Sequence, residues 1–332
     1  LPVIAPAWSP SAPLQVFATS WAAAAGVELA VLRLDLLDPL ISGNKWFKLR
    51  YHLEQAAAQE AQGLISLGGS HSNHLHALAA AGRRFGFATV GLLRGEPQDT
   101  PTVRDLQAFG MQLHWLDYGA YRARHQPGFW WPWLERYPAF HAVPEGGGGL
   151  LGARGCGVLR ELLESQLAAI GWADFDAWWL AVGSGTTLAG LVLAEAGRRV
   201  VYGALAVPER YGIATQVREI LREAGAADQG YALVPAARGG FARVDHELLA
   251  FMRQCEDETA LPLEPVYTAK ALLALRERVQ AGYFARGSRL LFVHTGGLQG
   301  RKAAVQACRA SAYAEPSKMA TLKSDQRSLE IP

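Results

Sequence analysis

Short apolar runs that close on glycine turns, each followed by a helix-forming stretch, constrain this chain more than any other feature of it. Residues 64–67 read Leu-Ile-Ser-Leu, run into Gly68-Gly69 and continue into an alanine- and leucine-rich stretch over 73–84. The unit recurs at 178–182, which closes on Gly183 before a helical stretch at 188–198, and at 200–205 before a helix at 213–224. Residues 27–34 form a β-type run ahead of a helix over 45–59, 88–93 is another strand, and 289–294 is a last one ending at Thr295-Gly296-Gly297. Strands separated by helices of this length imply βαβ units, because parallel neighbours need a crossover connection. The expected class is α/β, with open, mostly parallel sheets covered by helices.

The rhythm breaks over 122–149, where Gln126-Pro127-Gly128-Phe129-Trp130-Trp131-Pro132-Trp133 and Pro144-Glu145-Gly146-Gly147-Gly148-Gly149 interrupt the alternation. This break places a smaller domain at 50–150 and a larger one at 1–49 plus 151–314. The tryptophan cluster reads as packing at a domain junction, and the glycine run as a hinge. From 315 to 332 the chain turns polar and is expected to be poorly ordered. With 332 residues, 50 % hydrophobic and 19 % charged, the chain has ample apolar surface for a core and is too apolar to be disordered. Its net charge of +2 leaves no electrostatic footprint for nucleic acid or an anionic membrane surface. One uncharged stretch, 177–194, is interrupted by Gly183-Ser184-Gly185-Thr186-Thr187 and does not read as a membrane span. The N-terminal residues lack a basic region and are punctuated by proline, unlike a signal peptide, so a cytoplasmic location is expected. Cys156, Cys255 and Cys308 are widely spaced and read as buried free thiols of a reducing compartment.

In an α/β sheet, ligands bind where strands end in glycine turns at helix N-termini, since backbone N–H groups and the helix dipole converge there on anions. Four segments have this character: Ser42-Gly43-Asn44-Lys45, Gly68-Gly69-Ser70-His71-Ser72-Asn73, Gly183-Ser184-Gly185-Thr186-Thr187 and His294-Thr295-Gly296-Gly297. The third resembles a phosphate cradle, with two glycines for close backbone approach and three hydroxyls at a helix start. It is neither a Walker A loop nor a dinucleotide fingerprint, and taken alone it could be a ligand-free strand-to-helix turn. Lys45 and Lys48 share one face of a helix with apolar flanks. Desolvation and a second cation lower a lysine pKa from about 10.4 and free the amine to attack an aldehyde. His71, His74 and His76 invite a metal reading, but 74 and 76 do not share a helix face and no carboxylate stands at a useful spacing, so no metal is expected. His71 and His74 read instead as lining a substrate site or as bound to local backbone groups.

Taken together, Ser-Gly-Asn-Lys-x-x-Lys, Gly-Gly-x-x-Ser-Asn, the hydroxyl-rich glycine turn, Pro-Val-Tyr and His-Thr-Gly-Gly resemble, in order and spacing, the 1-aminocyclopropane-1-carboxylate deaminase and D-cysteine desulfhydrase family. The resemblance covers about Leu32 to Gly297. It implies a two-domain tryptophan synthase β-like fold (fold type II), pyridoxal 5'-phosphate as cofactor, a small amino-acid substrate and a homodimer. By motif, Lys45 is similar to the lysine that forms the Schiff base with the cofactor, and Lys48 to the cation at its phosphate. Asn73 matches the asparagine at the cofactor 3′-oxygen, and Ser72 the serine that holds the substrate carboxylate. Gly183, Ser184, Gly185, Thr186 and Thr187 match the phosphate loop. Tyr267 matches the active-site tyrosine, and Thr295 sits where this fold supplies a hydroxyl to the pyridine nitrogen. Ser72, Asn73, His74 and Tyr267 would then face the substrate.

Three departures distinguish branches of that family. The deaminases carry a glutamate after the tyrosine, a second tyrosine about 26 residues earlier and a glutamine after Ser-Asn; here those positions hold Thr268, Phe241 and His74. A threonine hydroxyl at the ring nitrogen, from Thr268 or Thr295, protonates the pyridine less readily than a carboxylate would. These changes resemble the D-cysteine desulfhydrase branch, so the expected activity is a lyase reaction, α,β-elimination from D-cysteine to pyruvate, ammonia and sulfide. Cyclopropane-amino-acid deamination, a serine-type deaminase or racemase, and a non-catalytic cofactor carrier are the alternatives. Lys45, Ser72 and Tyr267 together argue for catalysis, since a carrier has no need of all three.

Overall fold

The structure, a computed structural model, describes residues 11–301; the expectations for Cys308 and for the polar stretch 315–332 lie outside the described residues. Ten strands run in chain order: β1 (Leu14–Val16), β2 (Glu28–Arg33), β3 (Gly63–Gly68), β4 (Ala88–Arg94), β5 (Gln112–Leu116), β6 (Phe140–Ala142), β7 (Ala177–Val182), β8 (Val200–Leu205), β9 (Tyr231–Pro235) and β10 (Arg289–His294). They build two sheets. One has the order β1-β2-β10-β7-β8-β9 and the other β5-β4-β3-β6. Every pairing is parallel except that of β1 with β2.

Strand β7 shows why these runs read as continuous apolar sequence rather than as alternation. All six of its residues are buried. Trp178, Leu180 and Val182 enter one core cluster, and Ala177, Trp179 and Ala181 enter another on the opposite face. Helices cover both sides, so neither face of the strand can be polar. The two indoles still need acceptors: Trp179 donates to the Ala271 carbonyl at 2.8 Å and Trp178 to the buried carboxylate of Glu195 at 2.7 Å.

The Gly149–Glu164 helix carries four glycines and was not expected from sequence, since glycine disfavours helix by about 1 kcal/mol relative to alanine. Packing explains it. A Cβ on Gly155 would lie 2.0 Å from the Phe47 carbonyl oxygen, one on Gly190 2.1 Å from that of Ala153, and one on Gly152 2.0 Å from that of Gly147. Three helices, Asn44–Ala58, Gly149–Glu164 and Thr186–Glu195, therefore meet backbone to backbone, an approach no larger residue permits. The glycine run Gly146-Gly147-Gly148-Gly149 is the tight entry to the middle helix, with Gly146, Gly147 and Gly149 all at positive φ.

The tryptophan cluster is also placed differently from the sequence expectation. Trp130 and Trp133 pack with Phe129, Leu134 and Tyr137 against Ile65, Leu67, Val90 and Leu92, on one face of the four-stranded sheet, while Trp131 is 72 % exposed. The aromatic segment covers a sheet that would otherwise be bare on that side. Strands β5, β6 and β9 and the Pro101–Ala108 and His246–Thr259 helices were likewise not anticipated; β5, for example, alternates too weakly to stand out.

Substitution of Gly190 by alanine is expected to lower the free energy of unfolding by about 1–3 kcal/mol through overpacking against Ala153. Urea denaturation of the variant against the parent measures it.

Candidate cofactor site

Lys45 is the second residue of the Asn44–Ala58 helix, which begins at Gly43 with φ 67. A Cβ on Gly43 would lie 2.1 Å from the Thr295 carbonyl oxygen, and the Asn44 N–H donates to that same oxygen at 3.2 Å. Only glycine lets this helix start against the end of β10, which sets Asn44, the residue before Lys45, on the turn that carries Thr295. Lys45 is half-buried and its ammonium donates to the Gly146 carbonyl at 3.3 Å. Lys48, one turn further, is buried and donates to the Ser184 hydroxyl at 3.1 Å. Neither partner is charged. Withdrawal from water, reinforced by the nearby Lys48, holds the Lys45 pKa well below the ordinary lysine range; burial lowers that of Lys48 as well.

The turn at 183–187 is built to receive an anion. Gly185 has φ 74 and abuts Val217, where a Cβ would come within 2.5 Å. The Thr186–Glu195 helix that follows has no side-chain cap, so its first N–H groups point outward without a protein side-chain acceptor. Ser184 and Thr186 share a hydrogen bond of 3.1 Å, and the Asn44 amide donates to Thr187 at 3.0 Å. Backbone N–H groups, three hydroxyls and the Lys48 ammonium thus converge without a carboxylate among them, a donor set that fits a phosphate dianion.

Beneath both lysines lies the turn at 145–148, which the sequence suggested as a hinge. Gly146 receives Lys45, and a Cβ on Gly147 would sit 3.1 Å from the Lys48 Cβ and 3.6 Å from His74 Nδ1. Glu145 anchors this turn, accepting from the Tyr121 hydroxyl at 2.5 Å and from Arg124 at 2.6 Å. A carboxylate directly ahead of a glycine run was the available signal for it. His74 belongs to the same floor rather than to an open surface. The Ser66 hydroxyl donates to the Val143 carbonyl at 2.7 Å and so accepts from His74 Nε2 at 2.8 Å. That leaves Nδ1 as a buried lone pair with no hydrogen-bond partner among the described residues. Burial, then the two lysines, hold the ring neutral well below the usual histidine range.

Ser72 caps the Asn73–Phe85 helix, its hydroxyl accepting from the Leu75 N–H at 3.2 Å, which leaves its own hydrogen free to donate. His71 is exposed on the same loop. Asn73 accepts from Gln299 at 2.9 Å through Oδ1, and its Nδ2 lies against Gly297, where a Cβ would come within 3.2 Å. Gln299 therefore orients that amide with its N–H groups toward the Thr295 turn. Thr295 is half-buried there. Tyr267 precedes the Thr268–Gln280 helix and lies over Gly183: a Cβ on that glycine would come 2.9 Å from the ring and 3.6 Å from the hydroxyl. Burial, followed by Glu264 and Glu145, raises the phenol pKa, so this hydroxyl keeps its proton. Phe241 faces Tyr267 with ring centroids 6.1 Å apart.

Thr268 departs from the sequence expectation. It is fully buried, and its hydroxyl accepts from the Glu264 N–H at 2.9 Å and donates to the Glu264 carbonyl at 3.3 Å, closing the turn ahead of its helix. A hydroxyl so engaged is not presented to a ring nitrogen. Of the other residues singled out by motif, Lys45, Lys48, His74 and Tyr267 gather about the 145–148 and 183–187 turns, Asn73 and Thr295 lie along the loop that follows β10, and Ser72 caps the Asn73–Phe85 helix.

A parallel α/β fold with a lysine pair facing an uncapped phosphate turn fits a phosphorylated aldehyde cofactor, and the family comparison agrees. Residues 11–296 match the model of the pyridoxal-phosphate dependent enzymes, and the chain belongs to that family. Its architecture is the tryptophan synthase β-like fold type II, and its cofactor is pyridoxal phosphate. Among curated proteins it is 27 % identical over 293 residues to a putative 1-aminocyclopropane-1-carboxylate deaminase of Pyrococcus furiosus, covering 83 % of this chain and 86 % of that one. It is 28 % identical over 294 residues to the mitochondrial bifunctional D-cysteine desulfhydrase/1-aminocyclopropane-1-carboxylate deaminase of Arabidopsis thaliana, covering 83 % and 73 %. The crystal structure of an ACC deaminase homologue superimposes with a TM-score of 0.77 at 23 % identity, covering 92 % of this chain and 96 % of that one. Among the described residues, no helix is long and apolar enough to cross a membrane, and no cluster of side chains could hold a metal.

The buried histidines make a prediction about pH. His52 donates to the Gly148 carbonyl at 3.1 Å, and burial lowers its pKa to about 4. A folded-state pKa below that of the unfolded chain, about 6.5, means that the unfolded form binds more protons between the two values. Stability from this residue is complete above pH 6.5 and is lost as the pH falls toward 4. The melting temperature is expected to drop over that window, and to drop less in His52→Gln, as measured by calorimetry.

Proposed function

We propose that the protein is a pyridoxal-phosphate lyase acting on a small α-amino acid, releasing ammonia and a 2-keto acid. The observation that carries this reading is the placement of Lys45, whose pKa burial and Lys48 lower, one helical turn before Lys48, which donates to Ser184 in the 183–187 turn. When bound, the cofactor supplies an electron sink for charge that develops at the substrate Cα. Lys48 and residues 183–187 hold its phosphate. Lys45 would supply the nucleophilic amine to the cofactor aldehyde and a base at the substrate Cα. Ser72, with its free hydroxyl hydrogen at a helix N-terminus, binds the substrate carboxylate. Asn73, oriented by Gln299, donates to the cofactor 3′-oxygen. Thr295 meets the ring nitrogen with a neutral hydroxyl. Tyr267 retains its proton at neutral pH and acts as a donor to a leaving group. We read the four-stranded sheet as the core of a smaller domain at 50–150, with the phosphate turn on the larger one.

Within that class, elimination of sulfide from D-cysteine is favoured by this chain's own residues. Phe241 puts a ring without a hydroxyl beside Tyr267, and a buried, engaged threonine stands at 268 where a glutamate would otherwise follow the tyrosine. The second reading, opening of 1-aminocyclopropane-1-carboxylate, has the names of both reported relatives behind it, whereas D-cysteine desulfhydrase appears in one.

Purified protein loaded with pyridoxal phosphate is expected to be yellow, and Lys45→Ala to lose both the visible band and all keto-acid release. Absorbance spectra together with a keto-acid assay on D-cysteine, L-cysteine, D-serine and the cyclopropane amino acid separate the readings. Sulfide with pyruvate from D-cysteine supports the first. Efficient turnover of the cyclopropane substrate by the unmodified protein would replace it with the second. For Tyr267→Phe, cofactor binding is expected to persist while kcat falls by about 10²-fold or more, the range of a lost general acid.

A further inference from the structure

Glu264 is a carboxylate with 3 % exposure that no step above employs. It lies in Glu264-Pro265-Val266-Tyr267-Thr268, three residues before the catalytic tyrosine. Its Oε1 accepts from the backbone N–H groups of Tyr267 and Thr268, both at 2.6 Å, and its Oε2 accepts from that of Val266 at 2.8 Å. The Thr268 hydroxyl ties the Glu264 backbone to the same turn. The carboxylate stem also meets the second loop of the site, because a Cβ on Gly297 would lie 3.2 Å from Glu264 Cγ. One side chain thus gathers three consecutive N–H groups around the Tyr267 Cα and braces that turn against the loop after Thr295.

We propose that Glu264 is the positioning residue for Tyr267, holding the phenol over Gly183 where it can reach a leaving group, and that catalysis by Tyr267 depends on this carboxylate. The inference rests on the role given to Tyr267 above. Geometry distinguishes it from simple capping of the Thr268–Gln280 helix. A cap needs one acceptor for one orphan N–H, whereas here two of the three donors, Val266 and Tyr267, precede the helix. Lys270 supports the opposite wall: its ammonium donates to the carbonyls of Ala237 at 2.8 Å and Gly240 at 2.9 Å, fixing the loop that presents Phe241 to the tyrosine ring. Burial of Glu264 raises its pKa to about 7, and the three N–H groups and Lys270 oppose that rise.

The test is Glu264→Gln, which keeps the size of the side chain but turns an NH2 group toward a backbone N–H, where no hydrogen bond can form. In the cofactor-loaded protein we expect kcat to fall at least tenfold, with KM and the visible cofactor band unchanged within twofold. The double variant Glu264→Gln/Tyr267→Phe should be no slower than Tyr267→Phe alone, because the two changes remove one function. Multiplying losses, or full kcat in Glu264→Gln, would overturn the proposal. A crystal structure of Glu264→Gln gives an arm independent of turnover, with the Tyr267 ring expected to leave Gly183 and an unmoved ring counting against the proposal. If the unmodified protein turns over none of the amino acids tried, the substrate reading fails while this arm still decides the positioning role. Should Glu264→Gln not retain cofactor, Glu264→Asp, which keeps a carboxylate, carries the same comparison, with rescued kcat expected and unrescued kcat overturning.

Discussion

Two neighbouring lysines withdrawn from water, whose partners among the described residues include a carbonyl and a hydroxyl but no carboxylate bonded to them, are the constraint around which this structure is arranged. Buried positive charge of this kind is unfavourable until an anion or a covalent partner relieves it. The fold holds Lys45 and Lys48 in that position by close packing rather than by counter-charge. Gly43, Gly155 and Gly190 let helix backbones touch strand ends and one another, which fixes the position of the lysine-bearing helix. The site is therefore pre-organised for a phosphate and an aldehyde, and its electrostatics are most favourable when both are present.

Around this pair the polar groups fall into two kinds. Those that face the cleft, Ser72, Asn73, Ser184 and Thr295, are neutral and keep donor or acceptor capacity in reserve. Two carboxylates, Glu145 and Glu264, spend theirs on the protein, fixing the turns at 145–148 and at 264–268. The turns at 145–148 and 264–268 decide where the lysines and Tyr267 sit. At the edge of the site Phe241 sets a phenyl ring beside Tyr267, away from the turns that hold the lysines.

Much of this was legible along the chain because the signals are local. A glycine turn after an apolar run marks the end of a parallel strand, and a lysine pair spaced by three marks one helical face; these placed β2, β3, β4, β7, β8 and β10 and the helices after most of them. Motif order then pointed to the lysines, Ser72, Asn73, the 183–187 turn, Tyr267 and Thr295. What escaped notice was non-local. Glycines at 149, 152, 155 and 157 disfavour a helix on propensity alone; those at 152, 155 and 157 make sense only beside Gly147, Phe47 and Gly190. Thr268 has the residue type of a cofactor contact and the environment of a turn closure. His74 follows the Ser72-Asn73 pair in sequence, yet it lies beside Gly147 on the floor beneath Lys48.

The amino-acid sequence by itself determined the α/β class, the strands that end at the site and the residue types available to hold a phosphate and an aldehyde, because each depends on periodicity and spacing within a few residues. Only the tertiary structure decided which of those groups remain free to act. Whether a hydroxyl, imidazole or carboxylate faces the cleft or is consumed by a neighbouring backbone depends on segments a hundred or more residues apart, and their close approach is set by packing rather than by local preference.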